Sequence, residues 1–122
     1  MTTFTLHDLE KRVAERAQAS ADVSYTRQLL DRGVEHCAKK LGEEAIETVL
    51  AAVSEDCARL TAEAADLIYH LLVLLHARGI ALADVEAVLA ERTKQSGVAE
   101  KASRERMSRK SGSRVSDKDM RK

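Results

Sequence analysis

The stretch EAADLIYHLLVLLHARG, residues 63–79, opens with two carboxylates, Glu63 and Asp66, and then becomes apolar on almost every side. A helix carrying such a run must be buried nearly all round. An unpaired charge at the entrance of a buried helix is costly. The fold must therefore supply both a cover for the run and a partner for the carboxylates.

The surrounding chain points to helices. Its 122 residues include no proline and three aromatic rings, Phe4, Tyr25 and Tyr69. Ala, Leu, Glu, Lys and Arg are abundant, which favours helix and leaves little material for strands. A first helix is expected from Leu6 to about Ala19, with Thr5 as N-cap and Asp8 in the capping-box position. Ser24 is placed to cap a short helix, SYTRQLLDR, which Gly33 ends. A long helix follows from about Val34 to Val53. At 100° per residue, Val34, Cys37, Ala38, Leu41, Ala45, Ile46, Val49, Ala52 and Val53 fill one broad face of it. Residues 54–56, SED, form the turn, with Ser54 as the next cap. The fourth helix is expected from about Cys57 to Arg78, closed by Gly79, and an amphipathic fifth from Leu82 to about Lys94.

These elements and their short connections predict an all-α, antiparallel helical bundle of about five helices. The fourth helix is too apolar for so small a monomer to cover, so a second copy is expected to complete the core as a homodimer.

Zero net charge hides an asymmetry. Residues 1–93 hold sixteen acidic and ten basic residues, net −6, and residues 94–122 hold four acidic and ten basic, net +6. An acidic body argues against nucleic acid as the ligand and favours a cation. The basic residues 105–122 read as a disordered tail, since Met107, Val115 and Met120 are their only sizeable apolar groups. No basic-then-apolar signal region opens the chain, so a cytoplasmic location is expected. The apolar run Leu67–Leu75 is short of a bilayer span, so no membrane association is expected. Cys37 and Cys57 have no metal-type spacing and read as reduced thiols.

The carboxylates have counterparts. KKLGEEAIE, on the preceding helix, carries Glu44 and Glu47, also three residues apart and on one face. Folding the two helices about residue 55 puts Glu44 level with Asp66 and Glu47 with Glu63. Four carboxylates at a half-buried place repel strongly, and a divalent cation resolves the conflict. All-oxygen ligation suits Mg2+, with Mn2+ as substitute. A di-iron bundle would need Glu-x-x-His pairs, whereas the i+3 partners here are Glu47 and Asp66. His70, one turn beyond Asp66, is in reach of it by spacing. A lone E-x-x-E carries little specificity; two level pairs on adjacent helices carry much more. Lys40 precedes Glu44 by four residues and is placed to meet a carboxylate or a metal-bridged phosphate. Glu43, four before Glu47, can serve as a further ligand or as a base for water. A carboxylate-held metal with a nearby lysine suits hydrolysis of phosphate esters or anhydrides.

SYTRQLL, KKLGEEAIE, EAADLIYHLLVLL and SGVAEKASR together resemble the phosphoribosyl-ATP pyrophosphohydrolase family of histidine biosynthesis, within the all-α nucleotide pyrophosphohydrolases. Their shared pattern is E-x-x-E followed by E-x-x-D. The likeness covers roughly residues 5–104; residues 1–104 are read as one all-α pyrophosphohydrolase domain, with the 105–122 tail outside it. The resemblance implies Glu44, Glu47, Glu63 and Asp66 as Mg2+ ligands of a dimeric enzyme cleaving phosphoribosyl-ATP to phosphoribosyl-AMP and pyrophosphate. It also implies Ser24, Tyr25, Thr26, Arg27, Lys39 and Lys40 as substrate-side residues. Lys101 and Arg104 of EKASR join them, since a phosphate-rich substrate can order such cations. Two alternatives are a house-cleaning nucleotide pyrophosphohydrolase of the same superfamily and a non-catalytic dimerisation module.

Overall fold

The computed structural model describes residues 3–54, 56–94, 97–98, 101–102 and 104–107. Every regular element among them is helical: α1 (Leu6–Ala17), α2 (Tyr25–Asp31), α3 (Val34–Val53), α4 (Cys57–Ala77) and α5 (Leu82–Arg92). Residues 1–82 and 83–122 form two compact units.

Local chemistry starts and stops the helices largely as the sequence suggests. Thr5 and Asp8 form the capping box of α1: Thr5 Oγ1 accepts from the Asp8 N–H at 3.1 Å, and the Asp8 carboxylate accepts from the Thr5 N–H at 3.0 Å. Ser24 caps α2 by accepting from the Arg27 N–H. Gly33 is the N-cap of α3 at φ 96°, a backbone conformation open to glycine and costly for other residues. Gly79, at φ 72°, follows the C-cap of α4.

The α3–α4 turn differs from expectation. The N-cap of α4 is Asp56, whose carboxylate accepts from the Arg59 N–H at 3.1 Å, not Ser54. Ser54 is still in the right-handed helical region as the C-cap of α3, and its hydroxyl donates back to the Ala51 carbonyl. Asp56 has the extended backbone that carries a side chain over the next helix's first turn.

α3 and α4 form an antiparallel hairpin. The Thr48 hydroxyl is shared between the carbonyls of Glu44 on its own helix (2.8 Å) and Glu63 across the interface (3.2 Å). That contact agrees with the register expected from folding about residue 55. α1 and α2 cover the end of the hairpin far from its turn. There Val13, Leu29, Cys37, Leu72, Val73 and Leu82 make the core, with Leu9, Leu30, Tyr69, Leu74 and Leu75 packed against it. The Glu10 carboxylate accepts from the Leu82 N–H at 2.7 Å, tying α1 to the end of this unit.

α4 is not buried all round. Only His70, Leu72 and Val73 are fully buried on it, and Leu71 is 38% exposed. On α3, Ile46, Val49 and Val53 are 63%, 62% and 74% exposed, although they belong to the predicted apolar face. Two short helices cannot cover a hairpin of twenty-residue arms along its whole length. α4, at 21 residues, is the one helix among the described residues long and apolar enough to cross a membrane by length and composition. Its Ala-rich first half adds to the Leu67–Leu75 run, but Glu63 and Asp66 lie in the span and Leu72 and Val73 pack in the core, as in a core helix.

In the second unit, residues 97, 98, 101, 102 and 104–107 are helical. The disordered tail expected over 105–122 thus meets helix at 105–107, and residues 108–122 lie outside the described residues.

Leu29 is 2% exposed within the core. Leu29→Ala should therefore cost about 2–5 kcal/mol, read as a lower urea midpoint at unchanged slope. A loss well under 1 kcal/mol would mean that this cluster does not hold the helices together.

Candidate active site

The hairpin register brings three of the four predicted carboxylates together. Glu44 on α3 and Glu63 and Asp66 on α4 each offer an oxygen within 4.8 Å of the others, with Glu44 and Glu63 half-buried and Asp66 exposed. Such a group of hard oxygen donors could hold a divalent cation. Glu47 stands outside this group. Its carboxylate faces Arg59 on α4 at 3.8 Å, in an ion pair whose side chains are 50% and 42% exposed.

Lys40 and Glu43 pair at 3.2 Å on the first half of α3. The hydrogen bond to Glu43 holds the Lys40 ammonium above the usual lysine range, helped by Tyr25 and Glu44 nearby. The same bond holds Glu43 below the usual carboxylate range. The pair is therefore fully charged near neutrality.

The SYTR residues divide by task. Ser24 is buried and donates to the Arg16 carbonyl at 2.8 Å while capping α2. Thr26, also buried, shares a 2.6 Å hydrogen bond with the Tyr69 hydroxyl. Arg27 bonds to Asp31 at 2.8 Å and to the Ala17 carbonyl at 2.9 Å. These three build the junction of α1, α2 and α4. Tyr25 instead presents a half-exposed ring beside His70. Lys39 is exposed on α3, and Lys101 and Arg104 are exposed in the second unit.

His70 sits inside the fold, between the edges of two rings rather than on Asp66. Tyr25 and Tyr69 meet it edge-on, with centroids 6.3 and 5.1 Å away. Burial is the main cause holding its pKa below the ordinary 6.5, and Lys40 adds to it; the carboxylates of Glu44, Asp66 and Glu43 oppose.

A groove passed over by the sequence reading opens beside Lys40. Tyr25, Gln28, Leu29, Arg32, His36 and Lys40 line a volume of about 240 Å³. The signal was present in the spacing, since His36, Lys40 and Glu44 follow one another at i+4 on α3.

Residues 6–93 match the family model described as Phosphoribosyl-ATP pyrophosphohydrolase. The chain is 62% identical over 104 residues to the Phosphoribosyl-ATP pyrophosphatase 1 of Bradyrhizobium diazoefficiens, covering 85% of this chain and 98% of that protein. It is 64% identical over 102 residues to the Phosphoribosyl-ATP pyrophosphatase of Azorhizobium caulinodans, covering 84% and 94%.

His70 supplies a pH test. Its folded pKa is depressed, so the unfolded chain binds its proton first as pH falls. Its contribution to stability is fully present above about pH 6.5 and is lost as pH falls from there through the folded pKa. NMR titration should give His70 a midpoint below 6.5, and His70→Gln should flatten the fall in stability across that window. An ordinary midpoint would contradict the buried, uncharged imidazole.

Proposed function

The chain belongs to the phosphoribosyl-ATP pyrophosphohydrolase family, and on that premise we propose that it hydrolyses phosphoribosyl-ATP to phosphoribosyl-AMP and pyrophosphate, the second step of histidine biosynthesis, as a Mg2+-dependent cytoplasmic enzyme. The observation that carries this reading is the convergence of Glu44, Glu63 and Asp66 within 4.8 Å across the α3–α4 hairpin. Family likeness names the substrate; the carboxylate group supplies a reason for the chemistry to occur at this place.

The donor set fits the ion. Carboxylate oxygens suit Mg2+, and Mn2+ as substitute, better than the softer metals. Glu44, Glu63 and Asp66 would hold it, and Glu47 would join them as fourth ligand if its exposed pair with Arg59 gave way. Exposed pairs of this kind are worth about 0–1 kcal/mol, so the exchange is cheap. Bound there, Mg2+ would neutralise phosphate oxygens and lower the pKa of water.

The chain's own side chains do the rest. Lys40 puts a permanent ammonium beside Glu44, where a phosphate oxygen displaces Glu43 as its partner. Glu43, so released, and Glu47 orient the attacking water and accept its proton on a carboxylate oxygen. Tyr25 walls the side toward α2. Water bonds to the α- or the β-phosphorus as the anhydride bond between them breaks, and the bridging oxygen stays with the phosphorus not attacked. The water's proton passes to solvent through a carboxylate, leaving phosphoribosyl-AMP and pyrophosphate.

Asp66→Ala and Glu47→Ala should each lower turnover of phosphoribosyl-ATP by two orders of magnitude or more, on the order of what loss of charge stabilisation costs elsewhere, with the helical circular dichroism kept. Excess chelator should do the same to the unmodified protein. Full activity of Glu47→Ala, or in chelator, would remove the metal assignment.

The same reading includes a homodimer. Ile46, Val49, Leu50 and Val53 form an exposed apolar strip on α3, and burying each large aliphatic side chain is worth roughly 1.5–3 kcal/mol. A second copy of the chain is the cover that this strip and Leu71 call for. Sedimentation at low micromolar concentration should give a dimer, and Ile46→Asp with Val49→Asp should give a monomer. A stable unmodified monomer would refute it.

A further inference from the structure

The groove of Tyr25, Gln28, Leu29, Arg32, His36 and Lys40 concentrates positive charge without a carboxylate on its lining. Its floor is Leu29, buried in the core, and its Tyr25 wall is the ring that also meets His70. Arg32 ends α2, while His36 and Lys40 stand one turn apart on α3. Partial burial, then Arg32, Lys39 and Lys40, hold the His36 pKa below its ordinary value, and Glu43 opposes them. An anion beside Arg32 gains charge-assisted hydrogen bonds, and an arginine beside an imidazole supplies directional donors for a phosphate.

We infer that this groove is the subsite for a metal-free phosphate monoester, the phosphorylated ribose at the end of the substrate opposite the triphosphate; the inference rests on the phosphoribosyl-ATP reading. Two features select that fragment. The volume of about 240 Å³ is below the ~300–1,000 Å³ of pockets that enclose a whole drug-sized ligand, so it takes one end of the molecule. The groove is also displaced from the carboxylates along a single helix face. His36 and Glu44 are eight residues apart, a rise of about 12 Å, and Lys40 lies between them. A substrate with a phosphate at each end, joined through a nucleoside, can lie along that row with its metal-dependent end at Glu44 and its other end at Arg32 and His36. An uncharged base in the groove would make no ion pair with Arg32.

Calorimetry with the full chain in excess EDTA tests the assignment, using phosphoribosyl-AMP and AMP as probes. The unmodified protein should bind phosphoribosyl-AMP more tightly than AMP. Arg32→Ala with His36→Ala should remove that preference, weakening phosphoribosyl-AMP by roughly tenfold or more, as expected for lost charge-assisted hydrogen bonds. In turnover the same variant should raise KM for phosphoribosyl-ATP by a similar factor and change kcat less. Arg32→Lys with His36→Gln should recover part of the affinity, which a purely structural role would not predict. Equal weakening of both probes, or no weakening of either, overturns the subsite. An unmodified protein that turns over phosphoribosyl-ATP while the variants keep its KM overturns the subsite alone; one that never turns it over overturns the parent reading as well.

Discussion

Glu44, Glu63 and Asp66 are kept within 4.8 Å of one another across the two helices of the α3–α4 hairpin. Mutual repulsion of three carboxylates is a force against the hairpin that bears them, and the neighbouring structure is arranged around it. Asp56 starts α4 in register, and Thr48 bridges the two helices at the level of the cluster. Lys40 stands close enough to Glu44 to feel its charge. A cation held there, as proposed, would offset that repulsion and couple affinity for the ion to stability of the hairpin.

Polar residues of α2 illustrate how one short motif serves two ends. Ser24, Thr26 and Arg27 spend their hydrogen bonds on Arg16, Tyr69, Asp31 and Ala17, and so fix α2 against α1 and α4. Tyr25, between them in sequence, points the other way because successive helical residues turn by about 100°. Its ring thereby meets His70 and walls the Arg32–His36–Lys40 groove. The hydrogen bonds of its neighbours thus hold the half-exposed Tyr25 ring beside that groove. Glu47 shows the opposite regime: an exposed, loosely paired carboxylate one turn from the cluster, free to change partner at little cost.

Coverage of the hairpin is uneven, and this has a simple geometric origin. Helices of 12 and seven residues rise about 18 and 10 Å, against about 30 Å for α3. They seal one end, where Leu29, Cys37 and Val73 are nearly inaccessible, and leave Ile46, Val49 and Val53 near the turn in the open. The carboxylate cluster lies between those two regions, at the border of the sealed core and the uncovered strip.

Much of this was legible in the chain. Spacing of apolar residues, Thr5 with Asp8, Ser24 and the two turn glycines determined five helices and most of their limits, because caps and periodicity are local properties. Helix count and a short turn also determined which carboxylates could come level, since a hairpin's register follows from where it folds. Ser54 was misjudged as a cap because the choice between it and Asp56 depends on which residue leaves the helical region first, and both side chains are competent. The groove went unnoticed because Arg32 reaches it from α2 while His36 and Lys40 reach it from α3. Only tertiary packing decided which of four equivalent carboxylates stand together and which one turns to Arg59. A difference of one helical turn separates them in sequence, but the direction of each side chain is set by what the opposite helix offers at that height.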